Sequence, residues 1–290
     1  MKSVVVTGTS TGIGHGTAKV LVQEGFRVFG SVRTEDAANR VSKELGPAFI
    51  PLRFDVTDAA AVKAAAAQVA DTLGQDVLFG LVNNAGIARP GPLLYLSIDE
   101  FREQLDVNVT GQLIVTQAFA PLLIPDRLRH GPPAAAARPG RIVMISSIAG
   151  ENASPFLGPY NASKFALEGL SECLRRELML FGVDVIVVAP GAVVTAIWDK
   201  VAALDVTRIA DTPYGAAIDK ARTVAVERGR RGLSEEAIGN VVHKALTIGR
   251  PKTRYVVTPN RLEHFVVSHL PKRTLDRLIA KQLGLMEKPR

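Results

Sequence analysis

Short β-branched runs that end at a glycine turn, each followed by a helix-length stretch, constrain this chain more than any other feature. Ser3–Thr7 (SVVVT) runs into Gly8, Ile13–Glu24 reads as a helix stopped by Gly25, and Arg27–Val32 is again an apolar strand. A helix near Asp36–Leu45 and a strand at Ala48–Phe54 follow, then an alanine-rich helix from its cap Asp58 to about Leu73 and a strand at Val77–Val82. The second half keeps the rhythm. It holds a long helix over Asp99–Leu123, a strand at Arg141–Ser146, and a helix opened by Pro159 that runs to about Phe181. A strand at Val183–Ala189, a helix from the cap Ser234 to about Ile248, and a last strand at Arg254–Val257 complete it. Strands apolar on both faces, alternating with helices of this length, imply right-handed crossovers and a parallel sheet covered on both sides. The expected fold is α/β, a doubly wound parallel sheet in three α/β/α layers.

Two segments depart from the alternation. Residues 126–139 (DRLRHGPPAAAARP) have no apolar period and read as a mobile surface loop. Residues 192–233 follow the C-terminal end of a central strand without a clean strand of their own. Ligands of doubly wound sheets bind at that end, so the segment is a candidate lid.

Composition narrows the function classes. Of 290 residues, 47% are hydrophobic and 22% charged, which rules out a disordered or collagen-like chain. The single cysteine, Cys173, excludes an internal disulfide framework and a cysteine-based zinc site, and is expected to be a core thiol. The five histidines show no metal-ligand spacing, so no metal is expected. The first residues lack a signal-peptide pattern and no apolar run is long enough to span a bilayer, so a cytoplasmic protein is expected. The net charge of +7 is uneven: residues 222–290 hold 15 basic and 6 acidic side chains, while residues 1–221 hold 20 and 22. With one Tyr and one Phe in that basic tail and no nucleic-acid motif, a solvated basic face is favoured over nucleic-acid binding.

The chemistry-bearing residues cluster at strand ends. Thr7-Gly8-Thr9-Ser10-Thr11-Gly12-Ile13-Gly14 joins the first strand to the first helix, where glycines let an anion reach the helix N-terminus. Asn83-Asn84-Ala85-Gly86 ends strand four. Tyr160 and Lys164 stand four apart on one helix, so a phenol and an ammonium share a face, and the cation is expected to lower the phenol pKa. Ser147 ends strand five, thirteen positions earlier.

Together these motifs resemble the short-chain dehydrogenase/reductase family in its basic single-domain form, over about residues 1–258. The resemblance implies a Rossmann-like sheet of about seven strands and a catalytic set of Ser147, Tyr160, Lys164 and Asn108. In that set Tyr160 is the acid/base, Lys164 lowers its pKa and binds the nicotinamide ribose, and Ser147 holds the substrate oxygen. Asn108 positions a water in a proton relay. The dinucleotide would be held by Gly8, Ser10, Thr11, Gly12, Ile13, Gly14, Asp55 (at the adenine), Val56, Asn84, Ala85 and Gly86, together with Tyr160, Lys164, Pro190, Gly191 and Thr195. Where NAD enzymes carry an acid at the end of strand two, this chain has Val32 followed by Arg33, so NADP(H) is expected over NAD(H).

The implied reaction interconverts an alcohol and a ketone or aldehyde. A 3-oxoacyl-thioester reductase and a non-catalytic dinucleotide sensor are the alternatives. Val193, Val194, Ile197 and Trp198, facing Leu94 and its neighbours, either line a pocket for a bulky apolar substrate or pack the lid on the core. Residues 259–290 form a basic amphipathic helical extension, with Arg273, Arg277 and Lys281 on one face and Leu275, Leu278 and Ile279 opposite. Packing of that helix on its own domain or on a neighbouring subunit is favoured over membrane contact. The resemblance implies a homodimer or homotetramer through the helices at about Asp99–Leu123 and Pro159–Phe181.

Overall fold

A computed structural model describes residues 1–125, 138–195 and 207–286. Seven parallel strands form one sheet in the order β3-β2-β1-β4-β5-β6-β7. They are β1 (Ser3–Val6), β2 (Arg27–Val32), β3 (Phe49–Arg53), β4 (Gly80–Asn83), β5 (Arg141–Ile145), β6 (Asp184–Pro190) and β7 (Arg254–Val257). The order reverses between β1 and β4, which opens a crevice at the C-terminal ends of these strands.

Side chains alternate across each strand and so feed two cores. Val5, Leu81, Ile142, Met144 and Val185 pack under α3 (Ala59–Leu73), α5 (Gly111–Leu123) and α6 (Gly158–Glu177). Val4, Val6, Val82, Val143, Ile186 and Val188 pack under α1 (Gly12–Gln23), α2 (Glu35–Leu45) and α8 (Glu235–Thr247). Asp58 caps α3 by accepting from Ala60 N and Ala61 N at 3.1 and 3.0 Å, and Ser234 caps α8 by accepting from Ala237 N at 3.1 Å. Both caps fall where the hydroxyl and carboxylate side chains predict them.

Three expectations need correction. The long helix over Asp99–Leu123 is three pieces: α4 (Ile98–Leu105), a π-helical turn at Asp106–Thr110, and α5. Cys173 is exposed on α6, because the apolar neighbours expected to enclose it, Leu170 and Leu174, turn only partly inward. Val193 is 4% exposed and forms a parallel bridge with Leu233, which makes it a core residue rather than a pocket wall. The described part of the lid segment contains a sixteen-residue helix, α7 (Gly215–Arg230). Ile197 and Trp198 lie outside the described residues, as does most of the 126–139 loop.

The extension is two helices, α9 (Arg261–His269) and α10 (Lys272–Leu283). Leu275 and Leu283 of α10 are buried and α10 packs on α7, but Leu278, expected on the apolar face with Leu275, is 54% exposed. Among the described residues, no helix is long and apolar enough to cross a membrane.

Candidate active site

The glycine turn and the β4 turn are laced together before any ligand is considered. Thr7 Oγ1 accepts from Asn84 N and Ala85 N, both at 2.9 Å, and Asn84 Nδ2 donates to Thr7 O at 2.8 Å. Gly8 and Gly12 have φ of +71° and +66°, a left-handed region that favours glycine. A Cβ on Gly14 would stand 2.2 Å from Gly8 O and 2.4 Å from Asn84 Nδ2, so α1 approaches the turn as closely as a missing side chain allows. Thr11, the N-cap of α1, makes no side-chain cap bond, and the first turn of α1 holds no acidic residue. A helix N-terminus without a side-chain cap, behind a glycine cradle, fits the pyrophosphate of a dinucleotide.

The flanks of the cradle are now identifiable. A Cβ built on Gly12 would stand 3.7 Å from the Thr195 side chain, so the loop after β6 returns to the glycine turn. Gly191 N donates to Val257 O at 2.8 Å. Glu235 accepts from the Gly12 N–H and joins α8 to α1, and burial raises its pKa. At the far end, Val32 closes β2 and Arg33 is 76% exposed, 4.0 Å from Asp55 Oδ2. Asp55 Oδ1 is taken by Thr57, whose N and Oγ1 donate at 3.0 and 2.7 Å. Val56 is buried against Gly111. A residue the sequence reading missed is Arg40, whose Nη2 donates to Ser10 O at 2.5 Å and brings a second guanidinium to the glycine turn. Its position one helical turn and a half into α2 gave no sign of that reach.

Ser147, Tyr160 and Lys164 come together where β5 ends and α6 begins. Ser147 is buried, and its Oγ donates to Pro190 O at 3.4 Å and accepts from Ala149 N at 3.1 Å. It also hydrogen-bonds to Tyr160. Lys164 is 5% exposed and donates to Ile145 O at 2.8 Å, with its Nζ 5.7 Å from the centre of the Tyr160 ring. The expected lowering of the Tyr160 pKa is therefore not what this arrangement gives. Burial raises the phenol above its usual 10.0, and the Ser147 bond opposes that only in part. Burial also lowers Lys164 from 10.5 to about 8, against the pull of Glu168.

Asn108 lies in the π turn, almost fully buried. Its Oδ1 accepts from Ile87 N at 2.8 Å, and its Nδ2 donates to Ile87 O and Ser163 Oγ, both at 3.0 Å. Ser163 Oγ donates in turn to Tyr160 O at 2.7 Å. Two flanking amides went unnoticed in the sequence. Gln104 bonds Ile87 O and Arg89 N at 2.8 and 2.7 Å, and Gln112 donates to Ala85 O. The signal was an amide at every fourth position, Gln104, Asn108 and Gln112.

Beside this site lies a cavity of about 670 Å³. Leu93, Leu94, Phe156, Phe165, Ile279 and Leu285 contribute apolar walls. Leu94 lies on this cavity's wall, although 80% exposed, and Ser147 and Tyr160 are not among the lining residues. Tyr214 stacks edge-on against both Tyr95 and Phe156, with ring centres 6.0 and 5.9 Å apart. Phe156 has φ +64°, a strained conformation for a bulky side chain.

Fold and site define the class first: a Rossmann-like oxidoreductase. The chain belongs to the short chain dehydrogenase family, whose model matches residues 2–204. It is 37% identical over 284 residues to an NADPH-dependent 3-dehydrocapnine reductase of Ornithobacterium rhinotracheale, with 98% of each chain covered. It is 31% identical over 293 residues to retinol dehydrogenase 16 of Mus musculus, covering 96% of this chain and 87% of that one. A short-chain dehydrogenase from Streptomyces avermitilis shares the fold, with a TM-score of 0.74 at 24% identity over 99% of this chain and 98% of the other.

Proposed function

We propose that this oxidoreductase reduces a ketone or aldehyde on a mainly apolar, bulky substrate with NADPH, and catalyses the reverse with NADP+. The observation that carries the reading is the convergence of Ser147, Tyr160 and Lys164 at the crevice beside the glycine cradle. The dinucleotide would lie on Gly8, Gly12, Ile13 and Gly14, with Asp55 and Val56 at its adenine end. Asn84, Ala85, Gly86, Pro190, Gly191 and Thr195 would flank its nicotinamide half. When bound, it supplies the hydride. Arg33, with Ser10, Thr11 and the nearby Arg40, would meet a ribose 2′-phosphate, and no carboxylate at the end of β2 competes for the ribose hydroxyls. The NADPH dependence of the Ornithobacterium relative supports this choice.

Ser147 would hold the substrate oxygen and stabilise charge growing on it. Tyr160 would give that oxygen its proton, and a raised phenol pKa keeps the proton available across the neutral range. Lys164 would bind the nicotinamide ribose and, as an ammonium, stabilise the phenolate left behind. Asn108 is the proposed relay station. Its burial and its chain of bonds through Ser163 to the Tyr160 carbonyl fix it beside the start of α6. The apolar cavity walls support a bulky apolar substrate, as does similarity to a protein named a retinol dehydrogenase.

The test is loss of NADPH absorbance against a panel of free ketones and aldehydes, with Tyr160→Phe in parallel. Turnover of a bulky apolar carbonyl should fall by at least about a hundredfold in the variant, the usual size of a lost acid/base group. Exchanging NADPH for NADH should lower kcat/KM. Turnover confined to an acetoacetyl thioester would support the acyl-thioester reading instead, and tight NADPH binding with no turnover anywhere would support a sensor.

A further inference from the structure

Helix α9 is packed inside out. Its polar residues meet the domain: His264 Nε2 lies 3.4 Å from Glu151 Oε2, and Ser268 Oγ accepts from Asn152 Nδ2 at 3.2 Å. Glu263 stands 3.9 Å from Arg228. Positions 262, 265 and 266 share the opposite face by helical spacing. There Leu262, Phe265 and Val266 are 72%, 59% and 48% exposed, and α9 buries no residue. Surface helices of globular domains turn their apolar stripe the other way. Phe265 also stacks on His269 with ring centres 4.2 Å apart, which holds its ring on this outer face.

The following helix adds exposed positive charge. Arg261 of α9 is exposed, and Arg273, Arg277 and Lys281 occupy the outer side of α10 with Leu278, which is 54% exposed. Leu275 and Leu283 hold the other side of α10 to the domain. The two acids described in these helices do not offset the outer cations: Glu263 faces Arg228 and Asp276 lines the cavity.

We propose that the outer faces of α9 and α10 form a peripheral binding surface for anionic bilayers. Apolar side chains flanked by cations suit the boundary between acyl chains and anionic headgroups. A second copy of the chain suits the surface less well. A two-fold contact through it would set Arg261, Arg273, Arg277 and Lys281 against the same cations of the copy, which is electrostatically unfavourable. The inference is independent of the proposed substrate, because it concerns a face and not the site.

Sedimentation with vesicles tests it on the full chain. Wild type should pellet with phosphatidylcholine vesicles containing phosphatidylglycerol and stay in solution with pure phosphatidylcholine. A Leu262→Ser, Phe265→Ser, Val266→Ser variant should partition at least about tenfold less, as should an Arg273→Glu, Lys281→Glu variant that leaves the apolar stripe intact. Both should unfold at the wild-type temperature, since neither removes a buried side chain. Wild type that ignores anionic vesicles would overturn the proposal. So would a serine variant that pellets as well as wild type, or one whose only change is a smaller mass by light scattering, which would make the face an interface between copies.

Discussion

Burial and one backbone carbonyl set the behaviour of Lys164. Its Nζ donates to Ile145 O at 2.8 Å, and desolvation brings its pKa to about 8. The sign follows directly. Between about 8 and the usual 10.5 the folded chain binds fewer protons at this amine than the unfolded chain. Holding the ammonium therefore costs stability below about 8, and the cost fades as pH rises to 10.5. Activity runs the other way: if the ammonium assists Tyr160, kcat/KM for carbonyl reduction should fall as pH rises through about 8, while the phenol, raised by burial, remains protonated. A pH–rate profile checks this, and Lys164→Arg should move the break upward if it retains turnover, because guanidinium does not titrate in this range. At this scale the sequence was most informative about residues whose chemistry is specific. Ser147, Tyr160, Lys164 and the glycine turn were legible from type and spacing. The direction of the Tyr160 shift was not, because it depends on how much water reaches the phenol and on which partner the ammonium chooses.

Between α4 and α5 the interest lies in a turn that no propensity announces. An α-helix drifts by about 40° for residues four apart. The wider π turn at Asp106–Thr110 offsets that drift, so Gln104, Asn108 and Gln112 all reach the loop after β4. The loop's backbone at Ala85, Ile87 and Arg89 is thereby held by three side-chain amides on one rigid support. Gln112→Leu keeps the volume but leaves the part-buried Ala85 O without this donor, a loss of about 1 kcal/mol. The expected result is a lower urea midpoint with an unchanged slope, and weaker NADPH binding as the Asn84–Gly86 turn loosens. An unchanged midpoint would mean that water replaces the amide. That a helix runs through Asp99–Leu123 was readable from the sequence, while its Ser97–Glu100 capping box is a finding of the structure. The break within the helix was not, since Asp-Val-Asn-Val-Thr carries no residue that forbids a regular turn.

Over the whole molecule, the sheet divides the work between its two wings. On the β1–β3 side lie the glycine cradle, Arg33 and Arg40, and on the β5–β7 side lie Ser147, Tyr160 and the cavity walls. The alternation of apolar strands and helices was enough to read this plan, because each strand buried on both faces demands a helix above and below it. What it did not disclose is that α10 reaches the cavity beside Tyr160: Asp276, Ile279, Ala280 and Leu285, about 120 positions away in sequence, line the cavity that begins at Leu93 and Phe156. Periodicity reports which face of α10 is apolar but not which distant surface receives it. Leu275 and Leu283 are the buried side chains of α10, which packs on α7, and hold it in place. Each Leu→Ala change removes about 2–5 kcal/mol of packing. Because the lost contacts lie between α10 and α7 and not in the sheet, Leu275→Ala with Leu283→Ala should release the helix locally before the domain unfolds. The expected signature is a split: KM for a bulky apolar carbonyl rises by about tenfold, roughly 1.4 kcal/mol, while Kd for NADPH stays at the wild-type value. Equal losses in both would place the damage in the sheet itself. An unchanged KM would mean that substrate never reaches the wall α10 provides.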